Sequence, residues 1–159
     1  MVAHTNINAN AYDGPLDMPN DNFQAFGIIL PNALDSRVNL FLASPLPTNI
    51  NATPAGIFRI EWIPAATGNF KIFLDMSVAV PDTTIMDITS ATLSTNVTEA
   101  VATAAYGLQK TDIALTSLAG SLVSENSPFG WLERKALTDA GDTVEDAIVL
   151  MKAYVIANT

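Results

Sequence analysis

A single histidine, His4, no cysteine, and sixteen acidic against seven basic residues leave this 159-residue chain few ways to do chemistry. A Ser-His-Asp triad or a histidine metal cluster would hang on His4, which lies in a polar N-terminal stretch and reads as a solvated side chain. Without cysteine there is neither a thiolate ligand nor a disulfide framework. Paired carboxylates are the remaining catalytic option, because glycoside hydrolysis needs only two placed acids. Glu61 and Asp75 are candidates, but their spacing among apolar neighbours reads as the wet face of a sheet. The densest acidic group, Asp139, Asp142, Glu145 and Asp146, offers oxygen ligands of the kind calcium takes. It lacks the order of a known calcium loop and reads as a solvated acidic turn. Glycine-rich phosphate loops are absent. Among Tyr12, Trp62, Tyr106, Trp131 and Tyr154, a sugar-stacking platform would fall on Trp131, since Trp62 shares a face with Phe58 and Ile60 and belongs to a core. The expectation is therefore a protein without enzymatic activity, cofactor or metal.

The elements that would position these residues are strands. Phe58, Ile60 and Trp62 alternate with Arg59 and Glu61, and after the turn-rich Pro64-Ala65-Ala66-Thr67-Gly68 the same alternation resumes with Phe70, Ile72, Leu74 and Met76 against Lys71 and Asp75. This spacing predicts a hairpin, with Arg59 and Glu61 meeting Asp75 and Lys71 across the strands. Further strands are expected at Phe23 to Leu30, at Arg37 to Ala43 with Val38, Leu40 and Leu42 on one face, within Thr83 to Gln109, at Thr111 to Leu118, and at Phe129 to Arg134. Ala147 to Ile156 is an apolar run broken only by Lys152, as a strand in the middle of a sheet or at a subunit contact would be. About eight strands without an amphipathic helix make this an all-β chain, an antiparallel β-sandwich of jelly-roll-like type. Residues 1–22, rich in Asn, Asp, Pro and Gly, read as an extended arm, and 23–159 as the sandwich domain. The proline-rich Ser44 to Ala55 reads as a long contact-making loop.

Composition narrows the partners. Hydrophobic residues make up 49% of the chain and charged ones 14%, against about 25% charged in ordinary soluble domains. A surface this sparsely ionised is expected to be covered in part by sister copies. The net charge of −9 argues against a phosphate backbone, so no direct nucleic-acid contact is expected. Val38 to Phe58, the longest uncharged run, is interrupted by Pro45, Pro47 and Pro54, so no membrane span is expected. The start of the chain has no basic region followed by an apolar run, as a secretory signal would. Asn51-Ala52-Thr53 and Asn96-Val97-Thr98 match the glycosylation pattern by type and read as ordinary loop residues.

Phe129-Gly130-Trp131-Leu132-Glu133-Arg134, then Asp139-Ala140-Gly141-Asp142-Thr143 and Ala147-Ile148-Val149-Leu150, are similar to a recurrent ending of small phage virion proteins. Phe23 to Pro31 and Phe58 to Trp62 resemble their opening half. Here Lys135-Ala136-Leu137-Thr138 follows Arg134 where the family usually has an acidic residue sooner. The resemblance implies a jelly-roll structural protein of tailed bacteriophages, of the capsid cement or decoration type or a tail-associated module, commonly trimeric, with a bridge from Arg134 to Asp142. It implies a place on the capsid surface of the virion, a homotrimer, and the major capsid protein as partner. The expected interaction residues are Asn6, Asn8 and Tyr12 of the arm, Pro45, Pro47 and Asn49 of the loop, and Trp131. The alternative is a receptor- or carbohydrate-binding module of a tail fibre or spike, with that loop and Trp131 as its contact surface.

Overall fold

A computed structural model describes residues 3–8, 10–19, 23–41, 57–80, 82, 93–115 and 126–156. Among them are ten strands: β1 (Ala3–Asn8), β2 (Tyr12–Asp17), β3 (Gln24–Leu30), β4 (Ser36–Phe41), β5 (Ile57–Pro64), β6 (Gly68–Ala79), β7 (Leu93–Ala102), β8 (Gln109–Ala114), β9 (Ser127–Arg134) and β10 (Ile148–Ile156). They form two antiparallel sheets, β1-β4-β9-β6-β7 and β2-β3-β10-β5-β8. The pairing is that of one long hairpin. β3 lies against β10, β4 against β9, β5 against β8 and β6 against β7, while β5–β10 and β6–β9 contacts close the folded ribbon on itself. Eight strands paired in this nested way, alternating between two sheets, make a jelly roll.

Alternation decides which side of each strand is buried. Phe70, Ile72, Leu74 and Met76 of β6 face Phe58, Ile60 and Trp62 of β5, and all seven are essentially solvent-free. Ile148 and Leu150 of β10, Leu132 of β9 and Val38 and Leu40 of β4 complete the same core. Gly130 of β9 has no room for a side chain, because a Cβ there would overlap the carbonyl oxygen of Asp75 on β6.

Two expectations change. The stretch from Ile57 to Met76 is an arch and not a hairpin: β5 and β6 belong to different sheets, and their apolar faces meet across the core. Trp62 and Phe70 mark that meeting, with ring centroids 5.1 Å apart and planes at 66°. Two strands with equally apolar faces can bury them face to face once the link between them bridges the roughly 10 Å separating packed sheets. The link is pinned where the Ala65 N–H donates to Ala147 O at 3.0 Å. The charged faces therefore point in opposite directions. Arg59 forms a two-pronged pair with Asp112 of β8 at 2.6 and 2.7 Å, and Glu61 meets Lys152 of β10 at 3.3 Å. A double-mutant cycle should show coupling for Arg59 with Asp112 and none for Arg59 with Asp75; the reverse would restore the hairpin.

The second change concerns residues 1–22, expected as an arm. They supply β1 and β2, which extend the two sheets by pairing with β4 and β3. Asn and Gly give this stretch little strand propensity, so its strands exist through pairing with neighbours already in place. The loop Ser44 to Ala55, with Pro45, Pro47 and Asn49, lies outside the described residues, as does Asn51. Asn96 is part of β7, opposite Phe73, and so is a strand residue.

Candidate functional site

In the turn expected to be a solvated acidic patch, Glu145 and Asp146 are exposed, but Asp142 is buried against a cation. Arg134 ends β9 on its core-facing side, and the side chains of Arg134 and Asp142 are 0% and 1% exposed. Arg134 Nε donates to Asp142 Oδ2 at 3.1 Å and Nη2 to Oδ1 at 2.8 Å. Nη1 donates to Leu30 O at 2.9 Å and Asp146 O at 3.0 Å, and Nη2 to Val144 O at 2.7 Å. A guanidinium has five N–H groups, and here each has an acceptor. Asp142 Oδ2 also accepts the Lys71 N–H at 3.1 Å, which ties β6 into the cluster. Thr143 exchanges two bonds with Asn69, each 2.8 Å long. This close approach requires Gly68, whose φ is +147° and whose Cβ position would lie 2.5 Å from Thr143 O. The carboxylate is thus committed to the fold, and among the described residues no group of three His, Asp or Glu is placed to hold a metal ion.

Asp35 closes the same end. Its Oδ1 accepts the N–H groups of Leu137 and Thr138 at 2.9 and 3.2 Å, and Oδ2 the Thr138 hydroxyl at 2.6 Å. Partial burial raises its pKa, but the Thr138 hydroxyl, the two amides and Lys135 outweigh it and leave the carboxyl below its usual range. A carboxyl depressed in the folded state contributes stability above its unfolded pKa of about 3.9, and loses it as pH falls through the lower folded value. Asp35→Asn should therefore destabilise the protein at neutral pH and flatten the acid limb of a stability-versus-pH curve; an unchanged limb would contradict this.

Of the expected contact residues that are described, the register sets Asn6 in one row with Trp131, Asn39 lying between them, and Asn8 beside Arg37, whereas Tyr12 belongs to the other sheet. Trp131 stands on the outer face of the β1-containing sheet, between Asn39 of β4 and Asp75 of β6. It is half-buried, not exposed, because the Arg37 guanidinium lies 4.7 Å from its ring centroid. Arg37 is held there by Glu133 at 3.2 Å, and Glu133 also binds Lys135 at 2.8 Å. Sugar stacking on that face of the ring would require Arg37 to leave. The Trp131 Nε1–H is buried without a partner among the described residues. Tyr12, 54% exposed, lies on the outer face of the other sheet, its register partner being Ile29. Asn6 and Asn8 pair through β1 with Asn39 and Arg37 at the sheet edge.

Glu61 and Asp75 lie on opposite outer faces and cannot flank one bond. The Tyr154 hydroxyl, then Lys152, hold Glu61 below the usual carboxylate range, which suits a fixed anion rather than a proton donor. Arg37, Arg59, Arg134, Lys135 and Lys152 are all ion-paired within the fold. What the sequence reading missed is apolar: Phe23 and Phe26 are 63% and 66% exposed. Phe26 shares its side of β3 with the core residues Ile28 and Leu30, so periodicity alone would bury it. No protein-family model matches the chain, and no curated protein matches it. No helix among the described residues is long and apolar enough to cross a membrane.

Proposed function

We propose that this chain is a virion structural protein of a tailed bacteriophage, a cement or decoration subunit that binds between major capsid proteins and stabilises the shell. Mechanism in this reading is burial of interface area, not turnover: binding to the assembled lattice raises the cost of separating its capsomers. The observation that carries it is the exterior. Phe23, Phe26, Leu108 and Leu137 stand out on a jelly roll whose cations are largely neutralised internally, a surface suited to docking on protein. The resemblance at Phe129 to Leu150 supplies the phage context, and the Arg134–Asp142 pair it implies is present. The subunit is taken to be a homotrimer, in keeping with the low charge and the exposed apolar side chains.

Capsids lacking the protein should release DNA at a lower temperature than complete ones, and equal resistance would end the cement reading. Mass spectrometry of purified particles should give hundreds of copies; a handful would move the protein to the tail.

A further inference from the structure

The first lysine or arginine of the chain is Arg37; upstream of it lie Asp13, Asp17, Asp21 and Asp35, with His4 as the one imidazole. β2 and β3 come from this stretch without lysine or arginine and pair along their whole length, from Tyr12 opposite Ile29 to Asp17 opposite Gln24. β3 touches β10 over a shorter span, ending at Leu150 opposite Ile28, and β10 is irregular between Leu150 and Lys152 against β5. Beyond Ile28 the β2–β3 pair therefore continues as a two-stranded ribbon beside a notch of about 220 Å³, lined by Ile28, Leu40, Leu150 and Ala153 together with Asp13 and Lys152. Phe26 follows Ile28 on the core-facing side of this ribbon, with Pro15 as its cross-strand partner, and Phe23 precedes the strand.

We propose that this ribbon is the docking element of the protein, with Phe23 and Phe26 entering an apolar patch on a partner protein whose rim carries lysine or arginine. The proposal deepens the cement reading and rests on it only for the partner's identity, not for its chemistry. Charge selects the occupant. Asp13 and Asp17 lie on Phe26's side of the ribbon, so a two-fold contact between copies through that side would set these acids against themselves. Another surface of a sister copy is a poor match as well, since at least five of the seven basic residues already have acidic partners among the described residues. Contact through side chains also fits the edge: Pro15 has no N–H to give an added strand.

The test is a titration of the ¹⁵N-labelled full chain with two synthetic peptides, one alternating leucine with lysine and one alternating leucine with glutamate. The lysine peptide should shift the amides of residues 12–17 and 24–28. Phe23→Ser/Phe26→Ser should weaken that binding about tenfold or more, and Asp17→Lys should weaken it at low salt with the difference closing at high ionic strength. Both variants alter exposed side chains and should melt with the wild type. Shifts elsewhere, no binding of the lysine peptide, or equal binding of the glutamate peptide would overturn the proposal. The same proteins are then mixed with empty shells. Shells that bind the double serine variant as well as the wild type overturn the ribbon and leave the cement reading standing. Shells that ignore the wild type overturn the cement reading, while the peptide titration still decides the ribbon.

Discussion

Replacing Arg134 by methionine is expected to cost about 3 to 5 kcal/mol of unfolding free energy, a large part of the roughly 5 to 15 kcal/mol that holds a domain of this kind together. The substitution strands Asp142 as a buried charge and removes the donors that satisfy the carbonyls of Leu30, Val144 and Asp146. The melting temperature should fall by roughly 10 °C or more. Removing the charge from both partners, in Arg134→Met/Asp142→Leu, should recover part of the loss, because no uncompensated ion then remains in the interior. Recovery should stay incomplete, since the three carbonyls still lack partners. Urea unfolding at constant m-value checks both variants. A loss well under 1 kcal/mol for Arg134→Met would mean that water reaches the carboxylate and that the cluster is a surface feature.

Trp62→Ala is the second large effect, about 3 to 5 kcal/mol. Trp62 lies in the middle of the core, edge-on to Phe70, and its Nε1–H donates to Thr111 Oγ1 at 3.1 Å. Truncation opens a cavity between the sheets that neither can close without shearing past the other. A double-mutant cycle with Phe70→Leu should report a coupling of about 0.5 to 1.5 kcal/mol for the aromatic pair. Additivity of the two substitutions would contradict the arch, because it would separate two rings that the fold brings together from different sheets.

These two sites differ in how far the sequence discloses them. That Trp62 is buried follows from its alternation with Arg59 and Glu61, and the faces of β5 and β6 were both readable in this way. Alternation says which side of a strand is covered but not which strand lies beside it. The Phe58 to Trp62 and Phe70 to Met76 runs look alike whether they pair edge to edge or face each other, and only the distant β8, β9 and β10 decide the matter. The acidic turn misled for a related reason. Four carboxylates close together suggest solvent, and Glu145 and Asp146 do face it, but Asp142 meets Arg134 where β9 ends at the core's rim. The N-terminal stretch was illegible because Gly14 and Pro15 are poor strand residues; they are tolerated in β2, which lies at the edge of its sheet. Phe26 fails the pattern in the other direction, correctly phased with the core but one step past where β10 stops covering β3.

The proposed function rests on whether the exposed apolar side chains of this jelly roll have a shell to cover them, and the direct measurement is reconstitution. Particles stripped of the protein are incubated with the purified chain, and bound copies and the temperature of DNA release are recorded together. A cement subunit should rebind saturably at a fixed stoichiometry in the hundreds, with the release temperature rising as sites fill. Purified chain that leaves the shells bare and the release temperature unmoved would contradict it.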